Sequence, residues 1–305
     1  MSSVSLNEDD WDTLLQRIDD NECTPFIGAG ACAGTVPLAS ELAERWARAY
    51  KFPLKDSTNL GQVAQFLAIK RDPMFPKRLL RRLLRETNSP DFSEPCEPHC
   101  VLADLKLPIY LTTNYDGFMF RALQSRELNP SWKVCGWNEL IREHDRAIVD
   151  AEPNPADPLV YHLHGHYEIP QSMVLTDDDY LEFLVRLSKD ADEPAQRLLP
   201  PVIRTALAEN SLLFVGYSLS DWDFRVLFRG LIGSLGATLG SMSIAVQLDP
   251  LTPDPPEQWL DAAQQYLQDY FKQIQKLPVR VYWGDAKTFA CELSERWKAF
   301  GGDGH

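Results

Sequence analysis

Asn114, Asp116 and His164 are the residues of this chain best placed by type and spacing to do chemistry. Asn114 and Asp116 sit in Thr112-Thr113-Asn114-Tyr115-Asp116, directly after the apolar run Pro108-Ile109-Tyr110-Leu111. His164 sits in Leu163-His164-Gly165, at the end of a second apolar run. An asparagine at a strand end orients a hydroxyl or a water without itself titrating. A histidine near its ordinary pKa takes a proton from a sugar hydroxyl. Together they suit cleavage of an N-glycosidic bond, where positive charge develops on the sugar and the base leaves neutral.

A rival chemistry uses His162, His164 and His166, since alternate residues of a strand share a face and three imidazoles can hold a metal. Gly165 interrupts that strand and no further ligand cluster is evident, so His162 and His166 read as hydrogen-bonded structural imidazoles. Asp177-Asp178-Asp179 after Thr176 suit the first turn of a helix and read as capping charges. No metal is expected.

The elements that must position these residues follow a repeating plan. Pro25-Phe26-Ile27 leads into Gly28-Ala29-Gly30 and then a helix from about Leu38 to Tyr50. Glycines there let a phosphate or ribose approach the backbone, and a helix N-terminus adds donors. G-x-G alone is weak, because the third glycine of G-x-G-x-x-G is replaced by Ala33. Strands are expected at Leu159 to Leu163, Ser211 to Gly216, Ser243 to Leu248 and Val279 to Trp283, with short extended pieces at Ser131 to Cys135 and Ser172 to Leu175. Helices are expected at Ala195 to Ala208, Trp222 to Leu235, Gln258 to Gln275 and Lys287 to Phe300. Strand and helix alternate, and polar turns follow the strands. The fold class is therefore α/β, a doubly wound, Rossmann-like, mostly parallel sheet. Residues 1–305 read as one domain with a small helical subdomain inserted at about 52–98. One helix of that block carries Lys77, Arg78, Arg81, Arg82 and Arg85; the face reads as solvated rather than as a docking patch.

Composition narrows the class. The chain has 305 residues, 44% hydrophobic and 24% charged, as in ordinary globular proteins. A net charge of -14 argues against direct binding of nucleic acid or an anionic membrane. No apolar run reaches the ~18 residues of a membrane span, and the acidic start is no signal peptide. The six cysteines form no C-x-x-C pair, so no zinc ribbon is expected. A reduced, cytoplasmic, soluble protein is the expectation.

The set Gly28-Ala29-Gly30, Thr112 to Asp116, Leu163-His164-Gly165 and Gly216-Tyr217-Ser218 resembles a sirtuin-type NAD-binding domain. Val174 to Tyr180 and Phe214 to Asp221 resemble the prokaryotic branch found in anti-phage defence more than the protein deacylases. The likeness runs in order over about residues 24 to 290. It implies that NAD is the substrate, with Gly28, Ala29 and Gly30 at its phosphates. Asn114 would contact the nicotinamide ribose and the attacking water, Asp116 the carboxamide pocket, and His164 the ribose hydroxyls as general base. Thr113, Gly216 and Ser218 would hold phosphate or ribose, and Asp249 and Asp285 would lie by the adenosine half. Sirtuin deacylases carry a zinc module between the histidine motif and the later strands; here residues 167–210 contain no cysteine. Its absence favours water as acceptor. The implied activity is NAD glycohydrolysis in anti-phage defence, silent until triggered. The implied partners are further copies of the chain in a homo-oligomer and a HerA-type hexameric ATPase. The alternatives are an NAD-dependent deacylase or ADP-ribosyltransferase, and a non-catalytic assembly subunit.

Overall fold

The computed structural model describes residues 6–146, 152–189, 198–217, 243–247 and 279–301, with single positions at 262, 265, 266 and 269. Seven strands form one sheet: β1 (Cys23–Ile27), β2 (Ile109–Thr112), β3 (Ser131–Val134), β4 (Leu159–His162), β5 (Ser211–Tyr217), β6 (Ser243–Gln247) and β7 (Val279–Trp283). Their order is β3-β4-β2-β1-β5-β6-β7 and every neighbouring pair is parallel. The chain begins at the centre of the sheet, builds one wing through β2, then crosses to build the other from β5. Such a reversal opens a crevice beyond the strand ends.

The strands show why both faces need cover. Ile27, Tyr110, Val160, Leu213 and Val215 enter one core, while Phe26, Leu111, Tyr161, Leu212 and Phe214 enter the other. Alternate residues thus serve opposite faces, and both are apolar, as a central parallel strand requires. The first face is covered by α1 (Glu8–Asp19), α5 (Pro98–Asp104), α6 (Phe118–Ser125) and α10 (Ala286–Phe300), through side chains such as Trp11, Leu102, Met119 and Phe289. The second is covered by α8 (Asp177–Lys189) and α9 (Pro201–Glu209), through Phe183, Leu187, Ile203 and Leu207. A third core joins α2 (Ala39–Tyr50), α3 (Leu60–Lys70) and α4 (Phe75–Glu86) to Tyr167, Met173 and Leu175. A short α7 (Glu143–Arg146) follows β3.

Four expectations need correction. Ser172 to Leu175 is no strand: a 3₁₀ turn covers Pro170–Ser172, and one backbone bond, Val174 to His164, ties the rest down. The helix expected from Ala195 starts at Pro201, since Pro200 is extended and Pro201 suits a first helical turn. The basic face of α4 is not wholly solvated. Lys77 is buried, its Nζ 2.9 Å from Asp179 Oδ1 and above the Trp137 ring. Asp179 does cap α8 as expected, accepting from the amides of Leu175 and Thr176 through Oδ2, and its other oxygen takes the lysine. Finally, Cys96 and Cys291, 195 residues apart, are disulfide-bonded, so the chain is not a set of six thiols. Packing of α10 against α5 brings them together, which spacing along the chain could not reveal. The helices expected at 222–235 and 258–275 lie outside the described elements.

Replacing Lys77 by methionine is expected to lower unfolding free energy by about 2 kcal/mol, because Asp179 keeps two amide donors but loses its buried cation. Urea unfolding measures it; a change under ~0.5 kcal/mol would mean the pair behaves as a surface contact.

Candidate active site

Register brings the turns together. Ile27 lies opposite both Thr112 and Val215, and Thr112 lies opposite His162. The next residue of each strand end is hydrogen-bonded to its neighbour: Thr113 N–H to Ile27 C=O, Gly28 N–H to Val215 C=O, and Leu163 N–H to Thr112 C=O. Gly28, Thr113, Leu163 and Gly216 therefore stand level across four adjacent strands, and Asn114 and His164 come next on theirs.

The glycine turn is needed first by the protein's own backbone. A Cβ on Gly28 would lie 2.7 Å from the Gly216 carbonyl oxygen, and one on Gly30 2.9 Å from Gly216 Cα. Gly216 itself has φ +81°, and a Cβ there would lie 2.3 Å from the Ala31 amide nitrogen. The turn after β1 and the end of β5 touch backbone to backbone.

Asn114 is buried and latched across this junction. Its Nδ2 donates to the Gly28 carbonyl at 3.0 Å and points at Cys32 Sγ at 3.3 Å. Its own amide donates to Thr112 Oγ1, and its carbonyl oxygen lies 3.1 Å from His162 Nδ1. Among the described residues nothing donates to its Oδ1. Asp116 accepts from the Phe118 amide at 2.9 Å and from the Cys32 thiol at 3.4 Å. Thr113 Oγ1 is 2.7 Å from the Tyr217 hydroxyl, which also donates to the Ile27 carbonyl.

His164 lies edge-on to Tyr180 and Phe183, with centroids 5.3 and 5.2 Å away. Neither ring nitrogen is hydrogen-bonded to a described residue, and burial pushes its pKa down to about 3. It is a neutral imidazole at physiological pH, with a lone pair free to accept a proton, and the same burial makes it a weaker base than the histidine near its ordinary pKa that the sequence suggested. His166 instead stacks on Trp132 at 4.3 Å and approaches His162 at 4.8 Å. The three rings do not converge as a metal would require: His164 belongs to α8, and the other two to each other and to Trp132.

Of the remaining expected residues, Ala29 opens the short 3₁₀ turn Ala29–Cys32 and is exposed. Asp285 caps α10, accepting from the Thr288 amide at 2.7 Å, at the carboxyl end of β7. Ser218 and Asp249 lie outside the described residues. Three residues escaped sequence reasoning: Cys32, His99 and Glu97. Cys32 lies two residues after Gly30, but nothing in the spacing connects it to a histidine 67 positions later.

Burial lowers the pKa of His162, of His164 to about 3, and of His166 to about 2, so the folded state keeps all three neutral where the unfolded chain would bind protons. Stability is therefore expected to fall as pH drops below about 6.5, continuing towards about 3 for His164. The urea midpoint should be lower at about pH 5 than at about pH 7; an unchanged midpoint would contradict neutral burial.

A doubly wound parallel sheet with a glycine turn beside its reversal point defines a nucleotide-binding class of α/β protein. The SIR2-like domain family is matched over residues 108–271, just over half of the chain, and the chain belongs to that family. It is 25% identical over 207 residues to the NAD(+) hydrolase ThsA of Enterococcus faecium, covering 68% of this chain and 39% of that one. It is 27% identical over 228 residues to the NAD(+) hydrolase ThsA of Cytobacillus dafuensis, covering 73% and 41%. The chain thus spans about two fifths of the length of these curated relatives. A solved structure described as "Structural Basis for the Mechanism and Regulation of Sir2 Enzymes" aligns over 96% of this chain and 99% of its own, with a TM-score of 0.42 and 14% identity. Among the described residues no helix is long and apolar enough to cross a membrane.

Proposed function

We propose that the chain hydrolyses NAD to nicotinamide and ADP-ribose, as an effector in anti-phage defence. The observation that carries this is the pairing of Asn114, with its Oδ1 unspent, and a neutral His164, on the level ends of β2 and β4 beside the Gly28 turn. The name NAD(+) hydrolase carried by the ThsA relatives supports the same reading.

In this reaction the bond between ribose C1′ and the pyridinium nitrogen breaks, and its electron pair neutralises nicotinamide. Asn114 Oδ1 accepts a hydrogen bond from the attacking water or the ribose and so aims the oxygen at C1′. His164 accepts the proton of a ribose hydroxyl as positive charge develops on the sugar and returns it to that oxygen once the water oxygen has bonded to C1′, so the one proton released to solvent is that of the water. Asp116 borders the carboxamide end. Gly28, Ala29, Gly30, Thr113, Gly216 and Ser218 line the phosphate and ribose side, with Asp249 and Asp285 towards adenosine. Residues 1–305 act as one cytoplasmic domain, with the helices at about 52–98 as an insertion. Assembly into a homo-oligomer on a HerA-type ATPase is the proposed route to control. Leu181 and Val185, exposed one turn apart on α8, offer apolar surface for such contacts.

Chromatography of NAD incubated with the chain, alone and with a HerA-type partner, tests the reading. Nicotinamide and ADP-ribose formed without a protein acceptor support it. Turnover only with an acylated or acceptor protein would make the chain a transferase, and no turnover in either arm would make it an assembly subunit.

A further inference from the structure

Beside Asn114 lies a cluster that the hydrolytic reading does not use. Cys32 Sγ is 3.8 Å from His99 Nε2 and 3.4 Å from Asp116 Oδ2, and the three ligand-type atoms lie within 4.8 Å of one another. All three residues are buried. They come from separate segments: the turn after β1, α5, and the turn after β2. On the far side of the imidazole, His99 Nδ1 is 2.6 Å from Glu97 Oε1. The other Glu97 oxygen, Oε2, accepts from the Cys100 amide at 2.7 Å, which fixes the carboxyl against the ring. A carboxylate in that position takes the Nδ1 proton's hydrogen bond and turns the Nε2 lone pair inward, as in carboxylate–histidine–metal triads.

The inward set is rich in lone pairs and poor in protons. One thiol proton serves sulfur and carboxylate, and it points at Asp116. The imidazole lone pair faces the same sulfur. A tetrahedral ion with ordinary zinc–sulfur, zinc–nitrogen and zinc–oxygen bonds would hold its ligand atoms roughly 3.3–3.6 Å apart. The two separations to sulfur, 3.4 and 3.8 Å, are near that spacing, and with all three atoms within 4.8 Å of one another, His99 Nε2 and Asp116 Oδ2 would draw together as an ion bound.

We propose that Cys32 Sγ, His99 Nε2 and Asp116 Oδ2 form a binding site for one thiophilic divalent cation of the zinc type, with Glu97 orienting the histidine. Thiolate and carboxylate together balance the charge of a divalent ion, and the thiol proton leaves to solvent on binding. Sulfur and imidazole select zinc or cobalt over magnesium. The fourth position is left open, and Asn114 Nδ2–H points at the coordinating sulfur. The zinc module of the sirtuin deacylases falls in the region of residues 167–210, which here has no cysteine; this cluster is built from other residues, Cys32, His99 and Asp116. With Asp116 engaged as a ligand, metal loading withdraws it from substrate and should slow any turnover. The site itself does not depend on the hydrolase reading.

The test is spectroscopic. The chelator-stripped chain is titrated with Co²⁺, and bound metal is counted by elemental analysis. Expected are one Co²⁺ per chain, a thiolate-to-cobalt charge-transfer band in the near ultraviolet and tetrahedral visible bands. Cys32→Ser, checked for folding by circular dichroism, should lose the charge-transfer band. Glu97→Gln, which leaves every ligand in place, should weaken affinity about 10–100-fold. Absence of stoichiometric metal in the folded wild type overturns the proposal. So does a band that survives in Cys32→Ser, which would place the ion on another thiol, or an unchanged affinity in Glu97→Gln.

Discussion

Asn114→Ala is expected to reduce NAD turnover by about 10²–10³-fold while the chain stays folded. The size follows from what is removed. The Asn114 side chain is held at Nδ2 by the Gly28 carbonyl and Cys32 Sγ, and its backbone by Thr112 Oγ1 and His162 Nδ1, so its amide reaches the reacting atoms already oriented. Loss of one preorganised polar group at a reacting centre costs that much in other enzymes. Alanine also gives up the bond to the Gly28 carbonyl, a loss of about 1–2 kcal/mol in stability, which a domain of ordinary stability survives. Activity and unfolding therefore separate the two effects. His164→Ala should lower turnover by a comparable factor and, because no described residue hydrogen-bonds its ring, should cost stability only through lost packing on Tyr180 and Phe183. Turnover in Asn114→Ala within tenfold of wild type would move the chemistry away from the end of β2.

Gly216→Ala is expected to cost about 3–5 kcal/mol and to abolish activity with it. The left-handed backbone accounts for about 1–2 kcal/mol. The rest comes from overpacking, since the new methyl would meet the Ala31 amide nitrogen at 2.3 Å, and a backbone atom cannot swing aside as a side chain can. Relief requires β5 and the glycine turn to part, which breaks the level alignment that sets Asn114. Gly301→Ala is the control. It also has positive φ, +102° at the end of α10, but a Cβ there meets nothing within 4 Å. It should cost only about 1 kcal/mol by the backbone term. Equal urea midpoints for the two variants would mean that the junction yields and the contact carries no strain.

Much of the architecture was legible because it rests on local rules. Apolar runs of strand length, ended by small or polar turns, identified the strands now seen as β1, β2, β4, β5, β6 and β7, and their alternation with helices implied a parallel, doubly wound sheet. The same rule put Asn114 and His164 at strand ends. It failed at Ser172 to Leu175, where the stretch leaves a 3₁₀ turn and makes one backbone bond across to His164 instead of a strand ladder. It could not say that Lys77 turns inward to Asp179, because a basic stripe looks alike whether water or a carboxylate receives it.

What the sequence by itself determined is the class of fold, the family pattern and the strand ends on which chemistry would sit, since these depend on residue type and short spacing. Only the tertiary structure decided what meets across the chain. It showed that Gly28 and Gly30 are required by the backbone of Gly216 before any phosphate, that Cys96 finds Cys291, and that Cys32, His99 and Asp116 converge beside Asn114. These contacts join residues separated by 67 to 195 positions, and no local preference encodes them. They arise from the register of parallel strands and the packing of helices on the sheet.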